Sequence, residues 1–176
     1  MIKWVFITSL VVASLKPNLL QAQFLNLQIR VEPELSATVE QDLNFGDIIT
    51  GTGPSYINLG DINMGIFNIR AYYTQNVFIT LDTPTALIHQ NPAILDEIPI
   101  SLSIAYDNAN LPSPQNATVL NNNQGFLAIH AETEFANPAQ SEVWQNLELY
   151  VYGYIEVGNI ADGNYSGQVI LNVEYD

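Results

Sequence analysis

The stretch Gly163-Asn-Tyr-Ser-Gly-Gln-Val-Ile-Leu-Asn-Val-Glu-Tyr-Asp176 places a Gly-containing turn ahead of Val169, Leu171, Val173 and Tyr175, four apolar residues at strict two-residue spacing. Successive side chains of a strand point to opposite faces, so these four enter a core while Gln168, Asn172 and Glu174 meet water. The pattern is that of a half-buried antiparallel strand. Leu25, Leu27, Ile29 and Val31 repeat it near the other end of the chain, with Pro33 to stop it.

Working outward from these two segments, strand-like runs fall at 24–31, 35–45, 55–59, 65–73, 76–82, 98–106, 125–132, 146–157 and 167–175, with no sustained helical period. Phe67, Ile69 and Ala71 alternate with Asn68 and Arg70, Val77, Ile79 and Leu81 continue the pattern, and Ile98, Ile100, Leu102, Ile104 and Tyr106 carry it most cleanly. Tyr73-Thr-Gln-Asn76 has the chemistry of a tight turn. Asp107 to Pro114 cannot prolong a strand, because proline lacks the ladder donor and Asn and Asp favour local turns. The polar stretch 107–124 therefore reads as a long surface loop, and Ala131–Trp144 as a short helical turn broken by Pro138. Many short strands at close spacing predict an all-β fold, an immunoglobulin-like two-sheet antiparallel β-sandwich.

The first residues combine Lys3, an apolar run from Trp4 to Leu15, then Lys16, Pro17 and Ala22, the architecture of a cleaved secretory signal over 1–22. The run is too short for the roughly 20 residues of a bilayer span, so the mature chain is expected to have no membrane span. Removing 22 residues from 176 leaves 154, a single domain over 23–176. Lys3 and Lys16 leave with the signal and only Arg30 and Arg70 remain against 18 acidic residues, so the formal charge moves from −14 to −16. Such a surface repels nucleic acid and anionic lipid and favours solubility.

Chemistry is sparse. The absence of cysteine excludes disulfides, thiolate metal ligands and cysteine–histidine catalysis, and His89 and His130 are the only histidines. No Gly-x-Ser-x-Gly elbow accompanies them. His130, Glu132 and Glu134 share a strand face that reads as a polar exterior or, secondarily, as divalent-cation ligands. The loops Asp107–Asn110 and Asp61–Asn63 offer oxygens to calcium without the spacing of a dedicated site. Asp96-Glu97 and Glu32 with Glu34 read as solvated charge. Tyr150, Tyr152 and Tyr154 lie on one strand face, suited to stacking on sugar, on a partner, or across the sheet. No catalytic residue, cofactor or metal ligand is assigned, and the expectation is a non-enzymatic protein.

Leu43-Asn44-Phe45-Gly46, together with the Gly-x-Tyr-x-Gly of Gly163, Tyr165 and Gly167 and the near-terminal Tyr175, resembles the exported bacterial domains related to spore coat protein U and to archaic chaperone–usher pilin subunits. The similarity extends over about 23–176, to an allied envelope family without the cysteines of the spore-coat branch. It implies a pilin-like sandwich missing its last strand, completed by an N-terminal segment from the next subunit. The donor would then be Leu25, Leu27, Ile29 and Val31, and the acceptor groove would be walled by Val169, Leu171, Val173 and Tyr175. Implied partners are further copies or other envelope subunits, a periplasmic chaperone and an outer-membrane usher, and the implied location is the periplasm, the outer-membrane surface or the exterior. Alternation alone does not separate pairing in trans from pairing within the chain. The alternative is a self-complete monomer that binds carbohydrate or a surface protein through the 107–124 loop and exposed tyrosines.

Overall fold

In the computed structural model, alternation of apolar and polar residues resolves into antiparallel strands. The structure describes residues 35–73, 75–109, 111–129 and 144–176, all within the unit Glu32–Asp176. Among these residues the strands are β1 Ser36–Gln41, β2 Gly53–Ile57, β3 Gly65–Tyr72, β4 Asn76–Asp82, β5 Ala86–His89, β6 Glu97–Asp107, β7 Thr118–Leu120, β8 Gln124–Ala128, β9 Trp144–Val157, β10 Tyr165–Ser166 and β11 Ile170–Tyr175, with one 3-10 turn at Pro114–Asn116. The fold is all-β, and no helix among the described residues is long and apolar enough to cross a membrane.

The long strand β9 organises the larger sheet. β3 runs beside its first half, β2 beside its second, and β6 pairs with it from Ile100 to Asp107. β1 extends the sheet beyond β3, β5 and β7 pair with β6, and β10 pairs with β5. The smaller sheet has the order β11-β4-β8. Gly153 permits the close approach of β9 to β6: its φ is +155°, and a Cβ there would overlap the Ser101 carbonyl oxygen and stand 2.9 Å from Leu102 Cα.

Both sheets feed one core. Ile69, Ala71, Ile104, Leu147, Leu149 and Val151 come from the larger sheet and Val77, Ile79, Leu81 and Leu127 from the smaller, all fully or almost fully buried. Each large side chain there contributes on the order of 1.5–3 kcal/mol by leaving water. On the opposite face of β9, Tyr150 and Ala105 are buried with Ile57 and Met64 in a second cluster. The loop that supplies Met64 is shaped by Asp61, whose Oδ2 accepts the Asn58 N–H at 2.5 Å, and by Gln41 Nε2, which donates to the carbonyls of Ile62 and Met64.

Several expectations are corrected. The strand expected at 35–45 ends at Gln41, where the ladder slips between Val39 and Gln41 and the Gln41 side chain turns to the 62–64 backbone. The strand expected at 167–175 begins at Ile170, because Tyr165 and Ser166 pair separately with His89 and Ile88. The polar 107–124 stretch contains a 3-10 turn and β7, and the buried Asp107 carboxylate staples its start by accepting the N–H groups of Ala109 (3.0 Å) and Ser113 (2.8 Å). The turn after β3 is closed by Gln75 N–H donating to the Tyr72 carbonyl at 2.9 Å, and it carries the chain from one sheet to the other. Residues 1–34, which include the signal segment, Leu25, Leu27, Ile29 and Val31, lie outside the described residues, as do 130–143 with His130, Glu132 and Glu134.

Candidate functional site: the β11 edge and the adjoining groove

β11 lies against β4 with Ile170 opposite Asp82 and Tyr175 opposite Val77. Asp176 N–H donates to the Asn76 carbonyl at 3.2 Å, which places the hydrogen-bonded pairs of this ladder at even positions. Ile170, Asn172 and Glu174 thus direct their backbone groups at β4, and Leu171 and Val173 direct theirs to the opposite edge. No strand among the described residues pairs with that edge. The side chains of Leu171 and Val173 pack on the shared core yet stay half-buried, whereas Ile79 and Leu81 on β4 are buried. A strand edge presents backbone donors and acceptors that a neighbouring strand can pair while covering the apolar side chains beside it.

Next to the start of β11 lies a groove of about 1160 Å³. Leu43, Phe45, Ile48, Ile160, Tyr165 and Val169 line it, as do Ile100 and Leu102 of β6 and Val151 and Ile155 of β9. The sequence-distant motifs meet here: Leu43, Asn44, Phe45 and Gly46 line the same groove as Tyr165 and Gly167. Gly46 N–H donates to Asn44 Oδ1 at 2.8 Å, a local turn bond, while Asn44 N–H donates to the Asn63 carbonyl at 3.0 Å and ties the motif to the loop ahead of β3. Of the four residues expected to wall the acceptor, Val169 lines the groove. Leu171, Val173 and Tyr175 continue along the core beyond it, and Tyr175 Oη accepts the Tyr72 N–H at 3.3 Å.

The wall at 160–167 is held by His89, a role that sequence reading missed because nothing in the pattern marks it. His89 Nδ1 accepts the Asn91 N–H at 2.8 Å, which leaves the proton on Nε2 facing the Asp162 carbonyl at 3.3 Å. The imidazole stands edge-on to Tyr165 at 4.9 Å, and a Cβ at Gly163 (φ +151°) would overlap Nε2, so glycine is required there. Asp96 Oδ2 accepts the Ala161 N–H at 2.8 Å and the Tyr165 hydroxyl donates to the Ala161 carbonyl at 2.9 Å. Loss of hydration, then the carboxylates of Asp96 and Asp162, raises the titration of the Tyr165 phenol.

His89 is committed to the wall through both ring nitrogens, and the carboxylates of Asp61 and Asp107, which sequence reading offered to calcium, accept backbone N–H groups. Among the described residues no group of three His, Asp or Glu side chains is placed to hold a metal ion. The tyrosine face of β9 is graded from end to end. Tyr150 is buried and donates its hydroxyl to Glu148 Oε2 at 2.7 Å, Tyr152 is half-buried, and Tyr154 is exposed beside Tyr56. Burial first, then the Glu148 hydrogen bond and the charges of Glu148, Asp107 and Glu40, holds the Tyr150 phenol far above the usual tyrosine range. Comparison of the chain with protein-family models, with curated proteins and with solved structures finds no match.

Proposed function

We propose that this protein is an exported, non-enzymatic structural or adhesive subunit of the bacterial cell surface that polymerises by donor-strand exchange. The observation that carries the reading is the edge of β11 away from β4, with which no described strand pairs, beside a groove that Leu102, Val151 and Ile155 help to line. In this reading the two sheets are those of an immunoglobulin-like sandwich of pilin type. β1, β3, β9 and β6 form one layer and β11, β4 and β8 the other, and the strand that completes the second layer beside β11 arrives from another copy. Leu25, Leu27, Ile29 and Val31 supply its inward side chains, and Arg30 and the two polar residues face outward. The meeting of the 43–46 and 163–167 motifs at one groove supports kinship with spore coat protein U and the archaic pilins. A periplasmic chaperone holding the groove and an outer-membrane usher releasing it complete the assembly route.

Trypsin supplies the test, because Arg30 and Arg70 are the only basic residues beyond Lys16. Arg70 sits within β3 with its guanidinium 5.6 Å over the Trp144 ring, and Arg30 lies in the donor segment. Protein taken from its native envelope is digested, then run on a denaturing gel with and without boiling, with cleavage at Arg30 followed by mass spectrometry. The expected result is a ladder that collapses to monomer only on boiling, with Arg30 uncut before it. Monomer in both lanes refutes the polymer; Arg30 protected in that monomer would mean strand pairing within one chain.

A further inference from the structure

We propose that the open end of the larger sheet's outer face is a binding platform for a glycan of amino hexoses. On that face the cluster around Met64 covers Ala105 and Tyr150 but does not extend to Tyr154. There Tyr56 and Tyr154 pair directly across β2 and β9 with ring centroids 5.3 Å apart and planes tilted by 35°. Tyr56 is 60 % and Tyr154 39 % exposed, so much of the phenol surface is left in water. Exposed Ser101 lies opposite Tyr154 on β6, exposed Ser103 opposite Tyr152, and exposed Glu156 opposite Pro54 on β2. Side-by-side rings accept the C–H faces of pyranose rings, and the serine and tyrosine hydroxyls are donors and acceptors for sugar hydroxyls.

Charge selects the class of sugar. The chain carries a formal −14, and Glu156 borders the rings. The one arginine among the described residues, Arg70, is opposite Asn146 at the far end of β9 and stacks on Trp144. Uronic acids, sulfated sugars and phosphates meet no lysine or arginine among the described residues here and are repelled by the acidic surface. A protonated amino sugar is attracted by Glu156 and by the faces of the phenols. The platform stands apart from the groove and does not depend on strand exchange.

Isothermal titration of the full chain with glucosamine hexamer, N-acetylglucosamine hexamer and polygalacturonate tests the assignment. Glucosamine hexamer is expected to bind, more weakly as salt rises, with the N-acetylated hexamer weaker and polygalacturonate silent. Tyr56→Ala and Tyr154→Ala should each weaken binding roughly tenfold, and Tyr154→Phe should stay within about twofold of wild type. Glu156→Gln should lower affinity for the amino sugar and leave the N-acetylated hexamer unchanged. Circular dichroism checks each fold; the surface change Glu156→Gln decides the matter if an alanine variant unfolds. No binding of glucosamine hexamer, equal binding of polygalacturonate, or indifference to Glu156→Gln would overturn the proposal.

Discussion

A synthetic peptide of residues 23–31, Gln-Phe-Leu-Asn-Leu-Gln-Ile-Arg-Val, should stabilise a chain beginning at Glu32. Its inward residues would bury against Leu102, Val151 and Ile155, which line the groove, and its backbone against the edge of β11 with which no described strand pairs. At a free peptide concentration of about 100 times Kd, binding to the folded state alone contributes about 2.7 kcal/mol. For a domain of this size that raises the thermal midpoint by roughly 5–10 °C. Leu27→Asp in the peptide removes about 1.5–3 kcal/mol of apolar burial and adds roughly 1–3 kcal/mol for a carboxylate against those apolar side chains. Affinity should fall by more than about 100-fold and the shift should vanish at the same concentration. Gln28→Asp, on the opposite face of the strand, should preserve the shift. Scanning fluorimetry across a peptide titration measures all three, and equal shifts from the Leu27→Asp and unmodified peptides, or no shift from either, would refute the reasoning.

Gly153→Ala forces the β6 and β9 backbones apart at Ser101 and should cost about 2–4 kcal/mol in urea unfolding, with a loss below about 1 kcal/mol counting against the close approach. The raised Tyr150 phenol makes stability fall with alkalinity: above about pH 10 the unfolded chain releases a proton that the folded chain keeps, so ΔG of unfolding declines as pH rises. The expected slope is up to about 1.4 kcal/mol per pH unit from this group, and a Tyr150→Phe variant should show a flatter decline in thermal midpoint between pH 9.5 and 11.5. His89→Ala removes the acceptor of the Asn91 N–H and the partner of the Asp162 carbonyl, and should destabilise by about 1–3 kcal/mol. Faster hydrogen exchange in His89→Ala should concentrate at Ala161 and Tyr165, and uniform acceleration would mean that His89 serves the whole core instead of the wall.

Much of the strand content follows from local pattern. Ile69 and Ala71, the 77–81 triplet, and Leu147, Leu149 and Val151 are buried where alternation places them, because a period of two sorts side chains by face before any partner is known. Short elements escape such reading. β5, β7 and β10 are too brief to display a period, and each exists because a neighbouring edge offers backbone partners. β1 stops early for a non-local reason, the capture of the Gln41 side chain by carbonyls more than twenty residues away. The tyrosines of β9 share parity, yet Tyr150 is covered and Tyr154 is open, since the loop carrying Met64 reaches one and not the other.

From the sequence alone come the all-β class, the inward residues of the longer strands and the strong negative charge. These are set by side-chain period and composition, which need no knowledge of contacts. Only the tertiary structure decides that the Tyr73–Asn76 turn changes sheets, that β11 pairs with β4, and that residues 43–46 and 163–169 line one groove. Alternation states which face a side chain takes, but a strand has two edges and many eligible neighbours. The choice among them is made by the packing of the whole core.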